Sequence, residues 1–421
     1  MQAPYVTLVF AAAVLLSLAT RLWLATRQMR HVASHRDSVP AAFAGTVTLD
    51  AHRRAADYTL AKSRFGLLTA AVGSAVLLAW TLLGGLDALN SALLDKVYPR
   101  WGGMAYQLSL LAAFALIGGL VELPLDWYST FRIEQRFGFN KMGLKLWLID
   151  LAKSTVVAAV IGLPLAALIL WIMGASGGFW WLYAWLAWAA FNLVLLMLYP
   201  TVIAPLFNKF EPLPDEALKA RVQALMQRCG FAAKGLFVMD GSKRSAHANA
   251  YFTGLGAAKR VVFFDTLLKR LSPGEVEAVL AHELGHFKHK HVLQRMVGIF
   301  AFSLAGLALL GWLATQSGFY AGLGVRPHMT APNDALALLL FMLALPPFTF
   351  FISPLMAHFS RRHEFQADAY ACAQSNGRDL ASALLKLHED NAATLTPDPL
   401  YVRFYYSHPP ASVRLAALPA P

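Results

Sequence analysis

The stretch His282-Glu283-Leu284-Gly285-His286 decides how this 421-residue chain folds and what it can bind. Two histidines four residues apart on an α-helix differ by about 40° around the axis and by one turn along it, so both imidazoles can reach one metal ion. This H-E-x-x-H spacing suits a zinc ion held by His282 and His286, with Glu283 beside it as general base for a water molecule. We therefore predict one zinc ion per chain at this position.

The sequence before the motif predicts a well-defined helix start. Ser272 is a suitable N-cap, Pro273 suits the first helical position, and Glu275 completes a capping box. Apolar residues then follow at helical spacing: Val276, Val279, Leu280, Leu284 and Phe287. No strong breaker follows the motif. We expect this helix to continue through Lys288 and Lys290 into the next apolar stretch.

The composition is that of a polytopic membrane protein. Hydrophobic residues make up 57% of the chain and charged residues only 14%, which lies outside the range of soluble globular proteins. Cys229 and Cys372 are too few for a disulfide framework or a cysteine-based zinc site, so histidines and carboxylates must hold the metal. Seven stretches are long and apolar enough to span a bilayer: about 4–25, 65–86, 104–125, 151–173, 179–200, 292–316 and 334–357.

The basic residues predict the orientation of these spans. Of the 36 Lys and Arg residues, 30 lie in the loops at 26–64, 126–150, 201–291 and 358–421. These loops alternate along the chain with loops that are poor in Lys and Arg. The positive-inside rule therefore places the N-terminus outside and the metal motif in the cytosol, near the membrane surface. No compact basic domain suggests a nucleic-acid partner.

We divide the chain into four parts. Residues 1–200 hold five membrane helices, 201–291 form a helix and β-sheet region that ends in the motif helix, 292–357 hold two further membrane helices, and 358–421 form a cytosolic C-terminal region. The predicted fold class is therefore mainly α, with about seven transmembrane helices and a small β-sheet.

Within 201–291, Asp215 predicts the N-cap of a helix that ends at Gly230. Three β-rich segments follow, at 236–239, 249–255 and 261–264, and Gly254 with Gly256 allows a turn between the last two.

A catalytic zinc site needs a third protein ligand and an open fourth position. Glu364 follows the seventh apolar stretch on the same side of the membrane as the motif, and Asp368 shares its helix face. Glu364 could bind zinc while Asp368 accepts a hydrogen bond from a ligating imidazole. His363 and His408 are alternative third ligands. We expect His289 and His291 to meet solvent or the membrane interface instead of the metal.

The predicted chemistry is peptide hydrolysis. Glu283 takes a proton from a zinc-activated water, which then attacks a peptide carbonyl. The oxyanion that forms needs further donors, and His408 and Arg414 near the C-terminus are candidates. An extended substrate could pair with an exposed edge strand formed by the segment 249–255.

Several segments resemble those of the type 1 C-a-a-X prenyl proteases, integral-membrane zinc metallopeptidases that process prenylated proteins. These segments are 129–140, 205–210, 249–254, 282–291, 364–368 and 408–410. The resemblance implies that Glu364 is the third ligand, that Asp368 supports the ligands, and that Asn249, His408 and Arg414 surround the substrate and oxyanion. It also implies seven helices around a large wet chamber that the zinc domain closes. Val413 departs from the acidic residue expected before Arg414, so the resemblance does not give the partner of Arg414.

We thus predict a membrane zinc metalloendopeptidase that accepts C-a-a-X-type prenylated peptides and has a natural role in membrane-protein processing or quality control. Its partners are a peptide or protein substrate and the lipid bilayer, with no required protein partner evident. We expect a bacterial inner membrane with the site facing the cytosol, or the endoplasmic reticulum membrane in a eukaryote. One alternative is a heat-shock-type membrane zinc protease. Another is a transporter or channel with a structural zinc site, suggested by Glu122, Asp126 and Lys153 near span ends.

Overall fold

Long apolar helices make up most of the computed structural model, which describes residues 1–232, 235–253 and 259–418. Seven helical segments in these ranges are long and apolar enough to cross a membrane, which confirms the predicted number. The first half of the chain forms α1 (Ala3–Ser34), α2 (Leu49–Trp80), α3 (Gly85–Lys96), α4 (Tyr98–Tyr128), α5 (Leu144–Ala175) and α6 (Trp180–Leu198). Several of these helices are longer than the predicted apolar stretches. A helix of 32 residues is about 48 Å long, whereas the hydrocarbon of a bilayer is about 30 Å thick, so the helix ends project beyond it.

A small mixed sheet and its helices follow. The elements are β1 (Phe210–Pro212), α7 (Glu216–Arg228), β2 (Leu236–Met239), β3 (Ala250–Thr253), β4 (Arg260–Phe264), α8 (Asp265–Leu268) and α9 (Pro273–Lys288). The strand order is β1-β2-β4-β3, with β2 and β4 parallel and the other pairs antiparallel. The structure confirms the three predicted strands and adds β1, which is too short and proline-containing to show in the sequence. The predicted turn at Gly254 and Gly256 lies outside the described residues.

The remaining elements carry the chain back through the membrane and around the metal site. They are α10 (His291–Leu313), α11 (Ser317–Gly322), α12 (Asp334–Thr349), α13 (Ser353–Gln374), α14 (Gly377–Asp390), α15 (Pro399–Tyr405) and α16 (Ala411–Ala417). A short 3₁₀ turn joins α12 to α13, so both belong to the seventh span. Apolar side chains form one core among the membrane helices and another beneath α9, between α7, the sheet and α14. The chamber implied by the resemblance stays a prediction.

The motif helix ends earlier than the sequence predicts. Its last residue is Lys288, and Lys290 has a φ of +56°, in the left-handed region, before α10 begins at His291. The expectation of one continuous helix into the sixth span is therefore wrong. A lysine gives little local signal for this conformation, which normally favours glycine or asparagine.

Close packing of α9 on α13 sets the metal site. A Cβ atom at Gly285 would lie 2.9 Å from the Ala367 Cα and 3.2 Å from the Tyr370 Cβ, so only glycine fits at this crossing. Ala367 and Ala371 on α13 are fully buried against α9. Small residues on both helices bring the two backbones together, and with them the side chains of His282 and Glu364.

Polar contacts fix the metal domain on the membrane helices. The backbone of the segment 139–141 forms hydrogen bonds with Arg244 and Ala246 in the loop before β3, at 3.0 Å each. Arg244 also donates two hydrogen bonds to Asp150 on α5, at 2.8 and 3.0 Å. Because this ion pair is largely buried, it contributes more to orientation than an exposed pair does.

Candidate metal centre and catalytic pocket

The predicted capping box holds the start of α9. The Ser272 hydroxyl accepts a hydrogen bond from the Glu275 backbone N–H, and the Glu275 carboxylate accepts one from the Ser272 N–H. The same carboxylate accepts hydrogen bonds from Ser382 and Lys386 of α14. The helix that carries the two histidines is thus attached to its neighbour near its first turn.

Three side chains converge between α9 and α13. The Nε2 atoms of His282 and His286 lie 3.2 Å apart. Glu364 Oε2 is 3.5 Å from His282 Nε2, and Glu364 Oε1 is 3.3 Å from His286 Nε2. These residues form a group whose ligand atoms all lie close enough to hold one metal ion.

The donor set fits zinc. A tetrahedral zinc ion about 2.0–2.1 Å from its ligand atoms holds them about 3.3 Å apart, as these three atoms are. Glu364 is only 3% exposed, and its Oε2 atom is buried with no hydrogen-bond partner among the described residues. An unpaired buried carboxylate oxygen is costly, so a cation is the ligand that this group of side chains accommodates best.

The first ligand, His282, is held by a charged pair. Its Nδ1 atom is 2.8 Å from Asp368 Oδ1, and Arg414 donates hydrogen bonds to both oxygens of Asp368. Burial lowers the pKa of His282, but the Asp368 and Glu364 carboxylates outweigh it and raise the pKa to about 9 before a metal binds. Asp368 is thus the partner of Arg414, which could not be identified from the sequence. Val413, which stands where the resemblance leads us to expect an acidic residue, is half exposed.

The second ligand, His286, is held by a neutral relay. Its Nδ1 atom is 3.0 Å from Nδ1 of His291, whose Nε2 atom is 2.8 Å from the Gln366 side-chain oxygen. That oxygen can only accept, so His291 carries its proton on Nε2 and its Nδ1 accepts from His286. His286 Nε2 is then left with a lone pair for the metal. His291 is 2% exposed, so the expectation that it meets solvent is wrong, whereas His289 is exposed as expected.

The structure also separates the alternative third ligands. The His363 ring stacks on the His291 ring, with centroids 3.9 Å apart, and lies outside the metal-binding group. His408 Nε2 is 3.4 Å from Glu364 Oε1, but its side chain is 66% exposed. Glu364 is the residue that groups with the two motif histidines.

Glu283 faces a cavity of about 300 Å³ that is also lined by the metal-binding side chains of His282 and Glu364. Its carboxylate has no hydrogen-bond partner among the described residues, and burial raises its pKa. The cavity is also lined by Asn249, His408 and Arg414. All residues predicted from the sequence for catalysis therefore border one space with the metal-binding group.

One edge of the sheet lies next to this cavity. Asn249 immediately precedes β3 and accepts a hydrogen bond from the Ala250 N–H through its side-chain oxygen. β3 pairs with β4 on one side and is the last strand of the sheet. Its other edge thus offers backbone groups next to the cavity.

Two of the three charges that suggested a transporter have local partners. Asp126 accepts a hydrogen bond from the Trp147 indole at 3.0 Å, and Lys153 donates one to the Leu206 carbonyl at 2.9 Å. Glu122 is exposed. These contacts explain Asp126 and Lys153 as groups that stabilise span ends.

Two family models cover nearly the whole chain. Residues 28–209 match the CAAX prenyl protease N-terminal model, described as five membrane helices, and residues 212–421 match peptidase family M48. The N-terminal match favours this family over the heat-shock-type alternative.

Relatives at 32% to 35% identity agree with the two models. CAAX prenyl protease 1 homologues of Arabidopsis thaliana and Homo sapiens are 35% and 32% identical; the alignments cover 90% and 97% of this chain and 90% and 95% of the relatives. The crystal structure of S. mikatae Ste24p matches with a TM-score of 0.91 and 32% identity, over 98% of this chain and 99% of that one. The chain therefore belongs to the M48 CAAX prenyl protease family and is a membrane zinc metallopeptidase.

Proposed function

We propose that this peptidase cleaves peptide bonds near the C-termini of prenylated, C-a-a-X-type substrates. The observation that carries the proposal is the single cavity in which Glu283, Asn249, His408 and Arg414 border the metal-binding group. The names of the relatives, which are CAAX prenyl proteases, support the substrate class.

Glu283 is the general base in this proposal. Zinc, when bound, makes a water molecule acidic near neutral pH and polarises the scissile carbonyl. The Glu283 carboxylate, free of other partners, accepts the proton of the attacking water and passes it to the leaving amine. Asp368 and His291 position the metal ligands before the reaction begins. They hold the imidazoles of His282 and His286 in the tautomers that leave Nε2 free for the metal.

His408 and Arg414 stabilise the oxyanion in this proposal. Two nitrogens of Arg414 are engaged by Asp368, and the third, Nη1, lies 3.5 Å from Glu364 Oε2 on the cavity side. The exposed His408 ring lies at the opposite carboxylate oxygen, Oε1. Both can donate to charge that develops beside Glu364.

The substrate lies in extended form along β3. Backbone pairing with the edge strand would bind many sequences, while Asn249 orients the chain at the cavity. This mode favours a peptide segment that is unfolded or flexible.

We further propose that the metal site faces the cytosol, because most Lys and Arg residues lie in the loops on the same side of the spans as the motif. The composition, rich in Ala, Leu and Arg, favours a bacterial inner membrane. Natural substrates there include membrane proteins that need processing or removal, and a prenylated peptide reports the same chemistry.

The test replaces Glu283 with Gln and measures cleavage of a prenylated C-a-a-X peptide by the purified full chain. We expect at least about 100-fold slower turnover with one zinc ion still bound. Unchanged turnover in the zinc-loaded variant would refute the proposed base. Equal rates on prenylated and unmodified peptides would instead favour a general membrane protease.

A further inference from the structure

A second cavity adjoins the catalytic one. It has a volume of about 510 Å³ and lies between α1, α2 and the segment 391–406. Asn391 and Ala393 line both cavities, so the two spaces meet at this wall. The predicted chemistry uses only the first cavity.

Two cations, Arg21 and Lys62, line the second cavity, and no Asp or Glu is among the described residues that line it. The Arg21 guanidinium forms no ion pair or hydrogen bond within the described residues and lies 4.1 Å from the centroid of the Phe350 ring. Lys62 contacts the Tyr58 hydroxyl at 3.3 Å, with Glu134 behind it at 3.9 Å. Glu134 thus offsets part of the Lys62 charge, while the Arg21 guanidinium has no carboxylate partner among the described residues.

Neutral donors accompany these cations. Gln28 is 1% exposed, and its side-chain oxygen accepts a hydrogen bond from the Asp398 N–H at 2.7 Å. Its side chain also contacts the Tyr406 hydroxyl. Burial raises the pKa of Tyr406 to about 12, so this hydroxyl remains a donor at neutral pH. The Tyr406 hydroxyl thus adds a neutral donor to the cavity wall.

The rest of the wall combines a small apolar patch, which includes Ala25, Gly66, Leu67 and Ala70, with hydroxyl and amide side chains. The latter include Thr59, Ser63, Asn391, Thr394, Tyr401 and Tyr405. A ligand that places an anionic group at the cations and hydroxyls, and small aliphatic groups on the apolar patch, fits this lining. The end of a peptide chain with aliphatic last residues has this composition. The three residues after the cysteine of a C-a-a-X sequence span about 10 Å when extended, and the two cavities share the wall formed by Asn391 and Ala393.

We propose that the second cavity binds the C-terminal α-carboxylate of the substrate, with Arg21 and Lys62 as its cationic partners. This inference rests on the proposed peptidase function. Through this contact the enzyme recognises the chain end and places the bond to be cleaved a fixed distance from it. Specificity for short C-terminal fragments then arises from this second cavity and not from the metal site.

The experiment compares a prenylated peptide that ends in a free carboxylate with the same peptide as a C-terminal amide. For the zinc-loaded full chain in neutral detergent, we expect kcat/KM to be about 10- to 100-fold higher for the carboxylate. In the double variant Arg21→Met and Lys62→Met this ratio should fall close to one, because the carboxylate peptide slows and the amide peptide does not. The matched control is Arg30→Met with Arg64→Met, which removes two exposed cations from the same helices outside the cavity.

Equal kcat/KM for both peptides in the wild type, or an unchanged ratio in the double variant, would overturn the inference. Equal slowing of both peptides would assign the cations a structural role and overturn it as well. A charge effect that appears only with phosphatidylglycerol vesicles, and equally for both peptides, would identify a lipid phosphate site instead. The proposed peptidase function fails separately, if the wild type cleaves neither peptide in a zinc-dependent way.

Discussion

The two metal-binding histidines lie one turn apart on the same helix but are held in different ways. His282 donates to Asp368, whose charge is shared with Arg414, all within a buried cluster. His286 donates to His291, which donates to the amide oxygen of Gln366, so this relay has no net charge. A carboxylate behind a ligating imidazole makes it a stronger ligand, while a neutral relay mainly fixes its tautomer and orientation. We call Asp368 and Arg414, behind His282, the charged arm, and His291 and Gln366, behind His286, the neutral arm. The charged arm should therefore contribute more to zinc affinity than the neutral arm.

The neutral arm depends on a break in the helix. In a continuous helix, residues five apart differ by about 140° around the axis, so His291 would face away from His286. The left-handed turn at Lys290 costs about 1–2 kcal/mol for a residue with a Cβ atom. Contacts of His291 with His286, His363 and Gln366 offset this cost.

The largest effect is expected where both arms meet, at Glu364. The Glu364→Ala variant loses the ligand that faces both histidines and exposes their nitrogens to mutual repulsion. We expect zinc content far below one per chain and peptide cleavage reduced by more than about 100-fold, the upper range for loss of an outer partner alone. Metal analysis of the purified chain tests this. Wild-type zinc content would place the third ligand elsewhere.

Breaking the charged arm comes next. The Asp368→Asn variant keeps the shape of the side chain but removes the carboxylate that holds both His282 and Arg414. We expect zinc affinity to fall by about 10- to 100-fold, as measured by competition with a chelator. An affinity equal to that of the wild type would show that the charge of Asp368 does not support His282.

Breaking the neutral arm should cost less. His291→Leu removes the acceptor for His286 Nδ1, and we expect zinc affinity to fall about 10-fold, the lower end for such partners. His291→Asn can place an oxygen near the former Nδ1 position and should recover most of the loss. If Leu and Asn variants bind zinc equally, packing and not the hydrogen bond explains the role of His291.

The smallest effect concerns a histidine outside both arms. His388 lines the catalytic cavity, and burial lowers its pKa from 6.5 to about 4. Between these pH values the unfolded chain binds this proton and the folded chain does not, so stability falls as the pH drops below 6.5. We expect a loss of about 1–2 kcal/mol at pH 5, which His388→Gln should remove. Thermal unfolding midpoints in detergent at pH 7.5 and pH 5 test this; equal pH dependence in both proteins would contradict it.

Much of the site could be predicted because its signals are local in sequence. The H-E-x-x-H spacing, the capping box at Ser272 and the four-residue interval between Glu364 and Asp368 each depend on the geometry of one helix. The membrane spans follow from continuous apolar stretches and need no partner to be recognised. Residue chemistry alone left His363 and His408 open as third ligands. Only the packing of α9 on α13, allowed by Gly285, brings Glu364 to the two histidines.

The sequence by itself determined that this chain spans a membrane and carries half of a zinc site on one helix. The tertiary structure decided how the site is completed and supported. The turn at Lys290, the contact of His291 with His286, the pairing of Arg414 with Asp368 and the cationic cavity at Arg21 depend on other parts of the fold. Such features have no period or spacing in the sequence, because the free energy that stabilises them comes from contacts formed only once the chain is folded.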